Sequence, residues 1–179
     1  MKRIFIGSFI EDDTLKRNYP LIKKEFGGCL KGRWTPFENL HITFKFLGDT
    51  QEEKIDLIKQ SLSSVLDKDQ NIHIIFKGFG VFPNINRPRV FFLKVENPDK
   101  KLNQLNELIQ EKLEYLGYKR DSKEFIPHIT LKRPKFTNVD QLILKMNNFQ
   151  ETVFGEVYRI KVNVIQSILS PDGAKYIKI

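Results

Sequence analysis

Hydrophobic residues along this chain recur with two periods, and the changes between them divide it into strands and helices. Residues 3–10 (RIFIGSFI) form a continuous apolar, β-rich run that predicts a buried strand. Asp12, Asp13 and Thr14 follow with side chains suited to an N-cap. Leu15, Tyr19, Ile22 and Phe26 then recur at spacings of 4, 3 and 4, one face of a helix. Pro20 predicts a kink in it or a late start, and Gly27-Gly28 stops it. Residues 31–39, with Trp34 and Phe37, are a turn-rich lead into a second strand at 40–48. Asp49 or Thr50 is expected to cap a second helix carrying Ile55, Ile58, Leu62, Val65 and Leu66. Residues 71–82 read as a strand in which Gly78 and Gly80 mark bulging or a close backbone approach. Residues 83–88 are a loop.

The second half repeats this order. A strand at 89–96 precedes a helix that begins at Asn97-Pro98-Asp99, carries Leu102, Leu105, Leu108, Ile109 and Leu113, and ends near Gly117. A strand at 125–133 and a short helix at 138–146 follow. Residues 152–169 read as one long strand or two joined ones, Pro171-Asp172-Gly173 as a turn, and residues 174–179 as a closing strand. The halves place their strands alike: His41 lies 41 − 4 = 37 residues after Ile4, and His128 lies 128 − 90 = 38 after Val90. Equal order and spacing predict a duplication, with pseudo-symmetric lobes at about 1–84 and 89–179 whose C-terminal strands could be exchanged. A pseudo-twofold axis would bring the two middle strands together.

Those middle strands carry the candidate chemistry. One reads Leu40-His41-Ile42-Thr43-Phe44-Lys45-Phe46-Leu47-Gly48, the other Pro127-His128-Ile129-Thr130-Leu131-Lys132-Arg133. Both contain His-x-Thr-x. Residues i and i+2 share a strand face, so His41, Thr43 and Lys45 are expected on one face and Ile42, Phe44 and Phe46 on the other. In the second strand His128, Thr130 and Lys132 share a face opposite Ile129 and Leu131. Each tetrapeptide alone is explained by a polar strand face; two at matching places in two halves are not explained by packing. His73, the third histidine, has no Thr partner and shares its face with Ile75, which predicts a structural or exposed role.

Two imidazoles titrating near neutrality can serve as base and acid at once. In-line displacement at phosphorus needs a proton removed on the attacking side and one delivered on the leaving side. Thr43 and Thr130 could hold the non-bridging oxygens, with Lys45 and Lys132 adding positive charge. A metal site is disfavoured: threonine is a poor ligand and no carboxylate follows either histidine within four residues. There is no Gly-x-Ser-x-Gly elbow, P-loop or Gly-x-Gly-x-x-Gly.

Composition narrows the partner. A net charge of +8 and a pI of about 9.5 favour an anionic one. Cys29 is the sole cysteine, which excludes an intrachain disulfide and a cysteine zinc site. No apolar run spans a bilayer, and Glu11-Asp12-Asp13 breaks off the faintly signal-like start, so a cytoplasmic protein with no membrane contact is expected.

At the two motifs the sequence resembles the two-histidine phosphoesterases, and most closely the RNA 2′,3′-cyclic phosphodiesterase family, also called 2′-5′ RNA ligase. His41-Ile42-Thr43-Phe44 and His128-Ile129-Thr130-Leu131 are similar to its twin motifs. Residues 3–6 (RIFI), Asn39-Leu40, Phe46-Leu47-Gly48, Phe125-Ile126-Pro127, Arg133 and the ending from Ser167 to Tyr176 match as well. The resemblance implies an α+β, bilobal duplicated fold: two antiparallel sheets with outer helices around a central groove that holds both motifs. It implies no metal and no ATP, His41 as general acid, His128 as general base, and a monomer acting on RNA with a 2′,3′-cyclic phosphate end, tRNA fragments among them. It also makes Arg133 a phosphate contact. Regular alternation would send Arg133 to the apolar back; Pro134 is expected to end the ladder and free it. Two other functions stay open: a phosphoesterase for a small cyclic nucleotide or ADP-ribose derivative, and a non-catalytic RNA-binding module with Phe82 or Trp34 stacking on bases.

Overall fold

The computed structural model describes residues 1–171 and 173–179, so the expected turn at Pro171-Asp172-Gly173 has Asp172 outside the described residues. The first half runs β1 (Lys2–Phe9), α1 (Asp13–Phe26), β2 (Leu30–Lys31), β3 (His41–Thr50), α2 (Glu52–Ser61) and β4 (Asp69–Phe82). The second runs β5 (Val90–Glu96), α3 (Lys101–Glu114), β6 (His128–Lys132), β7 (Phe136–Thr137), α4 (Val139–Asn148), β8 (Val153–Lys161), β9 (Asn163–Ser170) and β10 (Gly173–Lys178).

Local chemistry explains most boundaries. Asp12 caps α1, its carboxylate accepting from the Leu15 amide at 2.7 Å. The helix therefore starts early, with Pro20 accommodated inside it, and buries Leu15, Tyr19, Ile22 and Phe26. The N-cap position of α2 is Gln51 rather than Asp49 or Thr50, because β3 continues through Thr50, which pairs with Lys2. In β4 both expected irregularities occur. Gly78 has φ +70° with Gln150 O where a Cβ would stand, and the Phe92 ring covers Gly80.

The strands form one large antiparallel sheet, in the order β10-β9-β1-β3-β6-β5-β4-β8, plus the small pair β2-β7. The fold is α+β. The two expected sheets are thus halves of one, joined between β3 and β6 by a single pair, Ile42↔Ile129. The expected lobe boundary near residue 84 does not follow the pairing. β4 lies between β5 and β8 in the second half-sheet, while the C-terminal β9 and β10 extend the first from β1. β8 and β9 are separated only by Val162, yet belong to opposite half-sheets.

Helices cross over too. α1 follows β1 but packs on β8, where Asn18 Nδ2 donates to Phe154 O at 2.8 Å. α3 follows β5 but packs on β3, where Asn106 Nδ2 donates to Phe44 O at 2.9 Å. Each half of the chain therefore covers the apolar back of the other, and the opposite face of the seam is left open. Among the described residues no helix is long and apolar enough to cross a membrane.

Candidate active site

The open face of β3 and β6 holds a groove of about 1120 Å³, lined by both motifs. The register Ile42↔Ile129 sets His41 across from Thr130 and Thr43 across from His128. The two histidines are then diagonal neighbours, which on a regular ladder stand about 7–8 Å apart. That span admits a phosphoryl group between them.

Both imidazoles are held alike. His41 Nδ1 lies 2.6 Å from Asn39 O, and His128 Nδ1 lies 2.7 Å from Ile126 O, in each case the carbonyl two residues before the histidine. A carbonyl only accepts, so each Nδ1 carries the proton and Nε2 is the atom left for chemistry. Aromatic rings fix the ring planes. Phe5 and Tyr176 stand 4.8 and 4.7 Å from His41, and Phe82 and Phe92 stand 5.0 and 5.1 Å from His128. Burial pushes the His41 pKa below the ordinary imidazole value; the Asn39 carbonyl opposes this, and the charges of His128 and Arg133 add to the depression. Burial lowers His128 as well, opposed by the Ile126 carbonyl and reinforced by Arg133. Among the described residues the Thr43 and Thr130 hydroxyls donate to no protein acceptor, and both line the groove.

Strand parity fails after each threonine, in the same way. Between Lys45 and Thr43 the ladder with β1 skips Phe44, and between Lys132 and Thr130 the ladder with β5 skips Leu131. One extra residue in each motif strand is a β-bulge, and it inverts the alternation beyond it. Each bulged carbonyl finds its own donor: Asn106 Nδ2 at Phe44 O, 2.9 Å, and the Thr35 amide at Leu131 O, 2.8 Å. Past the bulges Phe46 and Arg133 turn into the groove, where Phe46 is 67% exposed at its lip. β6 ends at Lys132, as expected from Pro134, but the bulge explains why Arg133 faces the histidines.

The family model of the 2′-5′ RNA ligase superfamily matches residues 25–163, a span that contains both motifs and most of the groove. The chain belongs to this superfamily. A protein of Archaeoglobus fulgidus named RNA 2′,3′-cyclic phosphodiesterase is 35% identical over 174 residues, covering 97% of this chain and 96% of that protein. One of Aquifex aeolicus with the same name is 32% identical over 176 residues, covering 97% and 93%. The crystal structure of a Thermus thermophilus protein superposes with a TM-score of 0.72 at 25% identity, covering 99% of this chain and 94% of that one.

Within this superfamily member the structure brings together His41, His128, Thr43, Thr130 and Arg133, and it corrects the expectation for Lys45 and Lys132. Both lysines lie past the bulge, and protein partners take both ammoniums, although Lys45 still lines the wall of the groove. Lys45 is 3% exposed, its ammonium bound to Gln110, Lys119 O and Asp121. Lys132 is 2% exposed, bound to Leu30 O and seated over the Trp34 ring. Neither ammonium is available to a phosphate. His73 is remote from the groove on β4, paired with Glu156 at 3.0 Å and stacked on Tyr158. Among the described residues no group of three or more His, Cys, Asp or Glu gathers.

Tyr176, Phe46 and the carbonyls of Asn39 and Ile126 were not predicted from sequence. Tyr176 arrives from β10, and its only sequence signal is its place in the C-terminal segment that resembles the family.

Proposed function

We propose that this protein opens 2′,3′-cyclic phosphates at RNA ends, leaving a 2′-phosphate and a 3′-hydroxyl, by acid–base catalysis between His41 and His128. The observation that carries this reading is the pair of Nε2 atoms. Each imidazole is oriented by a carbonyl behind it, and each stands across the seam from the other motif's threonine, in one groove with Arg133. The net charge of +8 favours RNA over a small ligand.

In the proposed step His128 Nε2 takes a proton from water as its oxygen attacks phosphorus. The P–O3′ bond breaks, and the 3′ oxygen receives a proton from His41 Nε2. Thr43, Thr130 and Arg133 bind the non-bridging oxygens, whose charge grows in the transition state. A 5′-hydroxyl in place of water would give a 2′-5′ linkage without ATP, since the strained cyclic ester supplies the driving force. Tied to one leaving group, hydrolysis and ligation share one regiochemistry. RNA ends of this kind on tRNA fragments fall within the same substrate class.

The test is incubation of the pure protein, in EDTA and without ATP, with an oligonucleotide ending in a 2′,3′-cyclic phosphate. A 2′-phosphate product is expected. A 3′-phosphate would refute the leaving group, and activity lost on chelation but restored by zinc or manganese would refute the metal-free mechanism. Turnover of a mononucleotide with none of the oligonucleotide would move the substrate to a small cyclic ligand.

Arg133→Ala is expected to weaken binding of phosphate-ended RNA more than Lys135→Ala, and to flatten the decline of affinity with salt, because a guanidinium at the phosphate displaces a counterion. Filter binding across a salt series measures both. Equal effects would place Arg133 outside the phosphate site.

A further inference from the structure

The seam between the half-sheets is one residue pair wide, Ile42↔Ile129, yet the proposed reaction needs two histidines, one from each side, fixed about a single phosphorus atom. Something other than the ladder must hold them. We propose that Lys45 and Lys132 are positioning residues that cross-brace the site: each reaches from its own motif strand to the segment that leads into the other motif. This rests on the two-histidine reading above.

The first brace is an ion-paired network. Lys45 Nζ donates to Gln110 Oε1 at 2.7 Å, to Lys119 O at 2.8 Å and to Asp121 Oδ1 at 2.8 Å, which uses all three ammonium protons. Gln110 Nε2 closes the network on Asp121 Oδ2 at 2.7 Å. Asp121 precedes His128 by 128 − 121 = 7 residues. The chain between them carries Phe125, stacked on Phe44 at 5.9 Å, and Ile126, whose carbonyl holds His128 Nδ1. Arg120 also pairs with Glu107 and Glu114, but these pairs are exposed and screened by solvent, so they add little to the brace.

The second brace runs the other way. Lys132 Nζ donates to Leu30 O at 2.7 Å and sits 4.3 Å from the centre of the Trp34 ring. Trp34 also bridges Lys132 through the backbone, and the next amide, Thr35, bonds Leu131 O. Trp34 precedes His41 by 41 − 34 = 7 residues. The chain between them includes Asn39, whose carbonyl holds His41 Nδ1. The lysine four residues after each histidine thus grips a point seven residues before the other histidine.

A buried ammonium is costly to desolvate, and a methionine of similar length keeps the stem while removing the charge and its hydrogen bonds. A purely structural peg would change stability and leave the folded enzyme's turnover intact; a positioning residue changes turnover, because a displacement of about 1 Å at a reacting group costs up to about 100-fold.

The test uses Lys45→Met and Lys132→Met in the full chain, assayed where circular dichroism shows them folded. Turnover of a 2′,3′-cyclic-phosphate oligonucleotide should fall about 10- to 100-fold with KM little changed. Without substrate, the imidazole nitrogen resonances should respond crosswise: Lys45→Met perturbs His128 and spares His41, and Lys132→Met does the reverse. Unchanged kcat, a raised KM at constant kcat, or a perturbation confined to the histidine on the mutated strand would overturn the proposal. Should the Met variants not fold, Asp121→Asn and Trp34→Phe weaken the same braces from their outer ends. They must show the same crossed pattern, or the proposal fails. If the wild-type protein does not open cyclic phosphates, the functional reading falls, and the crossed resonances still decide the bracing.

Discussion

Replacing His41 or His128 by alanine should lower turnover of a 2′,3′-cyclic phosphate at least about 100-fold while the fold survives. One positioned general acid or base contributes ~10²–10⁴ in rate, and each tenfold step is about 1.4 kcal/mol of barrier. The fold should tolerate the change because each ring faces the groove and bonds only a carbonyl of its own chain, which water can reach once the ring is gone. Each variant leaves a single imidazole, which cannot be base and acid in the same step. His73→Ala is the internal control. Its pair with Glu156 is exposed and screened by solvent, so it contributes little, and it is remote from the groove. Steady-state kinetics on the three variants checks this. Equal damage from His73→Ala would remove the basis for assigning the chemistry to the motifs.

Thr43→Val and Thr130→Val should each reduce kcat on the order of 100-fold, the scale of losing one preorganised donor to a developing anionic oxygen. Valine keeps the shape and the strand preference of threonine, so stability should change little. Among the described residues both hydroxyls stand in the groove without a protein acceptor, so no reorganisation is needed when charge builds on the phosphoryl oxygens. Thr43→Ser and Thr130→Ser retain the donor and should keep most of the activity. Serine and valine variants of equal activity would show that the hydroxyls do not touch the phosphoryl group.

The fold was legible where local pattern decides it. Leu15, Tyr19, Ile22 and Phe26 announced the buried face of α1, and a repeated His-x-Thr-x at equal spacing announced the pair of strands that meet at the seam. Three things were not decided by the sequence pattern. A bulge at Phe44 or Leu131 leaves no mark in composition, since either residue is apolar whichever way it points, yet it reverses Lys45, Phe46, Lys132 and Arg133. The exchange of β4 against β9 and β10 was open for a different reason: alternation gives a strand's faces and says nothing of its neighbours. The orienting carbonyls of Asn39 and Ile126 belong to the backbone and have no residue signature. The conflict over Arg133 was the one sequence-level sign of the bulge, because parity and resemblance disagreed there.

The division of labour between the two histidines is tested most directly by the pH dependence of kcat/KM on a cyclic-phosphate oligonucleotide, in the wild-type protein and in the residual activity of each alanine variant. One imidazole must be neutral and the other protonated, so the wild-type profile should be a bell. Burial and Arg133 lower both histidines, which favours the neutral form, so the bell should be centred below the ordinary imidazole value of 6.5. His128→Ala removes the base and should abolish the acidic limb; His41→Ala removes the acid and should abolish the alkaline limb. A flat wild-type profile from pH 5 to about 9 with chemistry rate-limiting, or loss of the same limb in both variants, would contradict a shared acid–base pair.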